Sequence, residues 1–344
     1  MEELLTAKKL GVRIVSALVI LAVVMLVCSL MGTERISLKA VFSGAGSQAT
    51  INPDYEIFVQ VRLPRIILAC IVGAALACSG VVFQALLRNP LADPYILGIS
   101  SGAGLGAIIA VLSGLNWTFW GRSPVAVFAF TGALATVWLV WLIGRRTARS
   151  HVTGLLLAGV VVNAFFSAVI MFLTSVAKGE QVYATIFWLM GNMTEEDFLV
   201  LWMGAGCVAA GMVALFYISP QLNALSFGED EARSIGVNIS KTRTIAFGVA
   251  ALVTAVAVSL SGLVGFVGLL VPHTVRLVFG PDHRQLLPLS GIAGAIFLVT
   301  ADTLARIVVA PAQLPVGVIT AIGGGPLFLI LLVKYTRRVG WVSQ

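Results

Sequence analysis

Residues 62–104, RLPRIILACIVGAALACSGVVFQALLRNPLADPYILGISSGAG, hold a pattern that recurs along the whole chain. From Ile66 to Leu87 no residue is charged, and roughly 20 apolar residues are what a helix needs to cross a bilayer. Arg88-Asn89-Pro90-Leu91-Ala92-Asp93-Pro94 then interrupts the run. Two prolines four apart cannot sit in one helix, so a non-helical hairpin is expected there. A second apolar run follows, opened by the small residues Ser100 to Gly106, which let neighbouring backbones approach closely. Close packing is enough to explain the glycines; the Asn-Pro…Asp-Pro loop is less easily explained that way.

Outward from this stretch, apolar runs lie at about 14–31, 66–87, 95–115, 123–144, 154–176, 198–218, 243–262, 263–279, 286–303 and 316–333. Of the 344 residues, 59% are hydrophobic and 11% charged, and mean hydropathy is +1.01. A soluble fold cannot bury so much apolar surface. The expectation is an all-α membrane protein of about ten spans, one domain over 1–344. The segment from Thr244 to Gly280 is too long for one crossing, and Gly262, Gly265, Gly268 and Pro272 divide it into two short helices. The first run, Ile14–Met31, exceeds a signal-peptide core and is expected to remain as a span.

An even number of spans puts both termini on one side. With that side cytosolic, Arg35, Lys39, Arg62, Arg65, Arg122, Lys178 and Arg306 face out, and the other 15 of the 22 basic residues face in, as the positive-inside rule asks. The formal charge of +7 is scattered in short clusters between apolar runs, not gathered on a nucleic-acid-binding face. Cys28, Cys70, Cys78 and Cys207 lie inside apolar stretches and read as small core residues, and His151, His273 and His283 are too dispersed for a metal cluster. No metal and no cofactor are expected.

Three connections are more than turns. Residues 32–61 read as a polar outer loop, and 177–197 hold an apolar piece, Tyr183–Met190, too short to span and so interfacial or re-entrant. Residues 219–241 form the most charged stretch. Within it Gly228-Glu229-Asp230-Glu231-Ala232-Arg233 through Gly236 reads as a short helix with acids at its positive end. It is either a knob for a cytosolic partner or a solvated connector. Further on, GFVGLLVPH from Gly265, Asp282-His283-Arg284, and Leu314-Pro315-Val316-Gly317 through Gly324-Gly325-Pro326 stand out, and Asp302 and Arg306 are spaced to pair on one helix face.

Taken together RLPR, RNPLADP, GEDEAR…G, GFVGLLVPH, DHR and LPVG…GP resemble, in order and spacing from Arg62 to Lys334, the FecCD family of permeases. That family includes vitamin B12, haem and ferric-siderophore importers. The resemblance implies a type II ABC importer transmembrane fold of ten helices with cytoplasmic termini in the inner membrane. It implies a homodimer with a second copy of the chain, two ATP-binding-cassette ATPase subunits, an external binding protein, membrane lipid around it, and no nucleic acid. The matching positions are Ser226, Gly228, Glu229, Glu231, Ala232, Arg233 and Gly236 for coupling to the ATPase; Arg62, Arg65 and Arg306 for docking the binding protein; and Asn89, Leu91, Val152 and Thr153 for a cytoplasmic gate. Two positions depart from the family pattern: Gln313 stands where Glu is usual, and Gly325 replaces a small apolar residue.

The chain lacks a phosphate-binding G-x-x-x-x-G-K-[ST] loop, so it is not expected to be an enzyme, and ATP is expected to be handled by a partner. The competing reading is an ion-coupled secondary transporter, which needs an ionisable group inside the membrane. Asp302 is the acidic candidate for that role.

Overall fold

The computed structural model describes residues 6–34, 36–37, 41, 52–115, 117, 123–147, 151–193 and 197–340. Among them the structure is helical, with no strand. Arg35, Lys39, Arg122 and Arg149, counted above in the charge balance, lie outside the described residues.

Seven helices are long and apolar enough to span: α1 (Ala7–Leu30), α2 (Leu63–Leu86), α4 (Pro124–Thr147), α5 (His151–Val176), α7 (Phe198–Tyr217), α10 (Ile239–Ser261) and α12 (His283–Ile307). Three expected spans are shorter or end in less apolar sequence: α3 (Ile99–Ser113), α11 (Val267–Phe279) and α13 (Val316–Gly340). Together they account for the ten apolar runs. Besides the one-turn helix Pro53–Glu56, the other α-helices outside these ten are α6 (Gly179–Leu189), α8 (Ser219–Phe227) and α9 (Glu229–Ser234).

Two boundaries correct the sequence reading. The outer loop 32–61 is helical from Pro53 onward, running through a π-helical stretch, Ile57–Arg62, straight into α2. Residues 95–98, expected inside the third span, form a 3₁₀ turn, Pro94–Leu97, closed by left-handed Gly98.

α2 is the axis of the bundle, buried over nearly all its length. Two of its glycines set how closely its neighbours approach. A Cβ on Gly73 would lie 2.2 Å from the Gly294 carbonyl of α12, and one on Gly80 would lie 1.9 Å from the Gly268 carbonyl of α11. Close packing does explain them. α1, α5 and α7 are peripheral, with Val19, Val160 and Val213 among many exposed apolar side chains.

The short helices are short because the chain breaks inside the bundle, where backbone groups must find partners. The breaks converge. The Tyr95 hydroxyl donates to the Val264 carbonyl and accepts from the Val264 N–H, both at 3.0 Å, clasping the turn before α3 to the break between α10 and α11. Gly191, just after α6, fits against the Leu263 carbonyl, and Gly317 of α13 against the carbonyls of Met190 and Leu263. The chain leaving α6 therefore meets the same breaks, while within α6 itself only Thr185 is buried.

Candidate functional site

At the outer end, Arg62, Arg65 and Arg306 line one cavity of about 510 Å³, with Glu34, Asn192 and Gln313. All three arginines are buried, at 4%, 7% and 7% exposure. Arg62 donates to the carbonyls of Ser29, Leu30 and Glu34, satisfying the open C-terminal end of α1. Asp302 is fully buried and serves the other two. Arg65 Nε donates to its Oδ1 at 2.9 Å. Arg306 Nε sits 3.2 Å from its Oδ2 as an ion contact one turn along α12. Arg65 Nη1 also donates to Gln313 Oε1 at 2.8 Å, so a neutral amide acceptor stands where the resemblance would place a second carboxylate. Three arginines against the buried Asp302 carboxylate and the exposed Glu34 leave the cavity floor net positive.

At the inner end, α8 and α9 fold as a knob with its own small core. Ala232 is fully buried against Ala224, Leu225 and Ile239, with Val237 packed beside them. Gly228 has φ +151°, and a Cβ there would strike the Glu231 carboxylate; Gly236, at φ +84°, lets the chain turn out of α9. Arg243 of α10 donates to Glu229 at 2.6 Å, with Arg88 4.0 Å away. The Arg243 hydrogen bond holds the Glu229 carboxyl below its ordinary value, against a smaller opposing effect of burial. Asn223 of α8 donates to Asp282 at 2.7 Å and accepts from the His283 N–H at 2.8 Å. Ser226 closes α8 on the Leu222 carbonyl. Arg233, Phe227 and Ile235 are exposed on the knob's surface. The segment is packed and braced to α10 and α12, and it shows solvent the apolar Phe227 and Ile235 among charged side chains such as Asp230, Glu231 and Arg233.

The four expected gate residues lie at the inner ends of their segments. Asn89 accepts from the Leu91 N–H at 2.9 Å in the loop after α2. Val152 and Thr153 occupy the first turn of α5. α5 meets the loop where a Cβ on Gly159 would lie 2.5 Å from the Ile96 carbonyl.

One feature escaped the sequence reading. Along α5, Asn163, Ser167, Ile170, Met171 and Thr174 line a lateral cavity of about 570 Å³ with Ser100, Ser101, Ile186 and Leu189. A second cavity of about 350 Å³ shares Ser100 and Asn163 and continues past Asp93, Tyr95 and Phe266. The result is an open trough, mostly apolar and flecked with small hydroxyls and amides, along one side of the chain. Its signal in the sequence is the helical spacing 163, 167, 170, 171, 174.

A family model described as the FecCD transport family matches residues 18–334. The cobalamin import system permease of Halobacterium salinarum is 43% identical over 272 residues, covering 79% of this chain and 72% of that protein. The hemin transport system permease of Yersinia pestis is 37% identical over 323 residues, covering 93% and 95%. A solved structure of the metal-chelate type of ABC transporter, in an inward-facing conformation, superposes with a TM-score of 0.82 at 31% identity, covering 93% of this chain and 98% of that one.

Proposed function

We propose, from the premise that this chain belongs to the FecCD transport family, that it is the permease subunit of an ABC importer, carrying a metal chelate across the inner membrane. The trough carries this reading. It is half of a channel, open along α5, and a second copy of the chain closes it. Its lining suits a large chelate: small polar groups wet the path, and no strong site holds the cargo back. The relatives are named for cobalamin and hemin, and a chelate of that size and chemistry is the proposed cargo.

The rest of the assembly follows from the two ends. Outside, the arginine-floored cavity receives a carboxylate from an external binding protein, steered by charge and weakened by salt. Inside, the knob of each copy seats in one of two ATPase subunits. ATP-driven closure shifts the knobs, and the Glu229–Arg243 and Asn223–Asp282 links pass the shift to α10 and α12. The trough then changes the side to which it opens, a two-state change driven by differential binding.

Two measurements test this. With Met171, 72% exposed on the trough side of α5, replaced by cysteine, a short bifunctional reagent should link two copies; a purely monomeric product would refute the shared channel. Arg233→Ala, in vesicles holding the whole transporter, should lower transport by about tenfold, the scale of an ordinary coupling energy, while ATP hydrolysis continues. Unchanged coupling would remove the knob from the mechanism. The secondary-transporter reading loses its candidate, because Asp302 is committed to Arg65 and Arg306. Transport by the chain alone on an ion gradient would restore it.

A further inference from the structure

Beside the knob lies a cavity to which the importer reading assigns no ligand, although Glu229, Arg233 and Arg243 in its wall also serve the knob. It holds about 240 Å³ between the inner end of α4 and the start of α10, and Arg145, Arg233 and Arg243 surround it with Trp141, Ser240 and Thr244. Glu229 is the one carboxylate in its wall and is already bound by Arg243. The walls are fixed in place. Trp141 stacks on Phe247, ring centroids 4.6 Å apart, and the Arg145 guanidinium lies over the Trp141 ring at 5.9 Å. Arg243 is held by its 2.6 Å contact with Glu229.

Depth is the second observation. Arg145 and Arg146 end a spanning helix on the cytosolic side, and Trp141 sits one turn deeper, where amphipathic rings mark the membrane surface. Below the cavity an apolar lane continues into the bilayer region. Trp138 is 65% exposed on α4, three residues before Trp141. On α10, four residues past Thr244, Gly248 opens onto space that a Cβ would not fill, and Leu252 is exposed a turn deeper. A cationic pocket at the surface with an apolar lane beneath it matches a molecule with a phosphate head and acyl tails.

We propose that this cavity seats the phosphate of an anionic phospholipid of the cytosolic leaflet, tying the knob to the membrane through Arg145 and Arg243. The site requires only that α4 end and α10 begin at the inner surface, so it stands whether or not the chain imports a chelate.

The test uses the purified full-length chain, delipidated in detergent and titrated with phosphatidylglycerol or phosphatidylcholine, with bound lipid read by native mass spectrometry. The wild type should retain phosphatidylglycerol selectively. Arg145→Gln should lower that retention about fivefold, the factor one arginine supplies near a charged surface. Arg146→Gln, on the same helical turn but outside the cavity wall, should leave it unchanged, and Arg145→Lys should keep most of it at an unaltered melting temperature. Equal retention of the two lipids, or equal loss in the 145 and 146 variants, would overturn the proposal. Displacement of the lipid by inorganic phosphate at a comparable concentration would show a free-anion site instead. Crosslinking of Arg145→Cys to the ATPase, and not to a photoactivatable phosphatidylglycerol, would assign the cavity to the protein partner and likewise overturn it.

Discussion

Replacing Asp302 with Asn should prevent the chain from accumulating in a folded form. Asp302 is fully buried and is the shared counter-ion of Arg65 and Arg306. Removing one partner of a buried ion pair costs about 3–5 kcal/mol, because the remaining charge is left without compensation; here two arginines lose it together. Thermal unfolding in detergent is the direct measurement, and a variant within about 1 kcal/mol of wild type would show that water reaches the cluster. A triple variant, Arg65→Met, Asp302→Leu and Arg306→Met, separates the roles. Apolar replacement of a whole buried ionic cluster is often neutral for stability, so this chain should fold and yet fail to dock a binding protein. Docking by the folded triple variant would exclude Arg65 and Arg306 from recognition and leave Arg62 as the docking arginine of the cavity.

Gly80→Val should be nearly as damaging for a different reason. The added Cβ would meet the Gly268 carbonyl at 1.9 Å, and the obstacle is backbone, which cannot rotate away. Overpacking of this kind costs about 1–3 kcal/mol and sometimes more, and here it would pry α11 from the central helix. Gly114→Ala is a useful contrast. That glycine has no neighbour within 4 Å of its Cβ position and only a left-handed φ of +61° to strain it, so the loss should stay near 1 kcal/mol. Similar melting temperatures for the two variants would show that α2 and α11 are not in backbone contact.

The spans were legible because each is a local property: an uncharged run of bilayer length announces itself without knowledge of its neighbours. The break after Ser261 was legible for the same reason, since Gly262 marks it. The helix before α2 was not, because Pro53–Arg62 mixes Asp54, Glu56 and Gln60 with apolar residues and its π-helical part has no 3.6-residue pattern to find. In the arginine cluster the Asp302–Arg306 pair is one helical turn and could be read directly. Arg65 reaches the same carboxylate across 237 residues of sequence, and Arg62 binds backbone carbonyls that no side-chain pattern encodes. The trough was hidden because a serine or asparagine in an apolar helix looks alike whether it faces a neighbour or an opening. Only the packing around α5 distinguishes the two.

α12 runs unbroken for 25 residues, about 37 Å at 1.5 Å per residue. Its first residues are lashed to the knob through Asn223, and its last two turns carry the counter-ion of the outer cluster. A rod anchored at both faces makes signalling between them reciprocal: whatever factor ATP imposes on the grip for an outside visitor, that visitor imposes on the nucleotide machinery in return. A loaded binding protein would then change the affinity for nucleotide by the same factor by which nucleotide changes the hold on the binding protein.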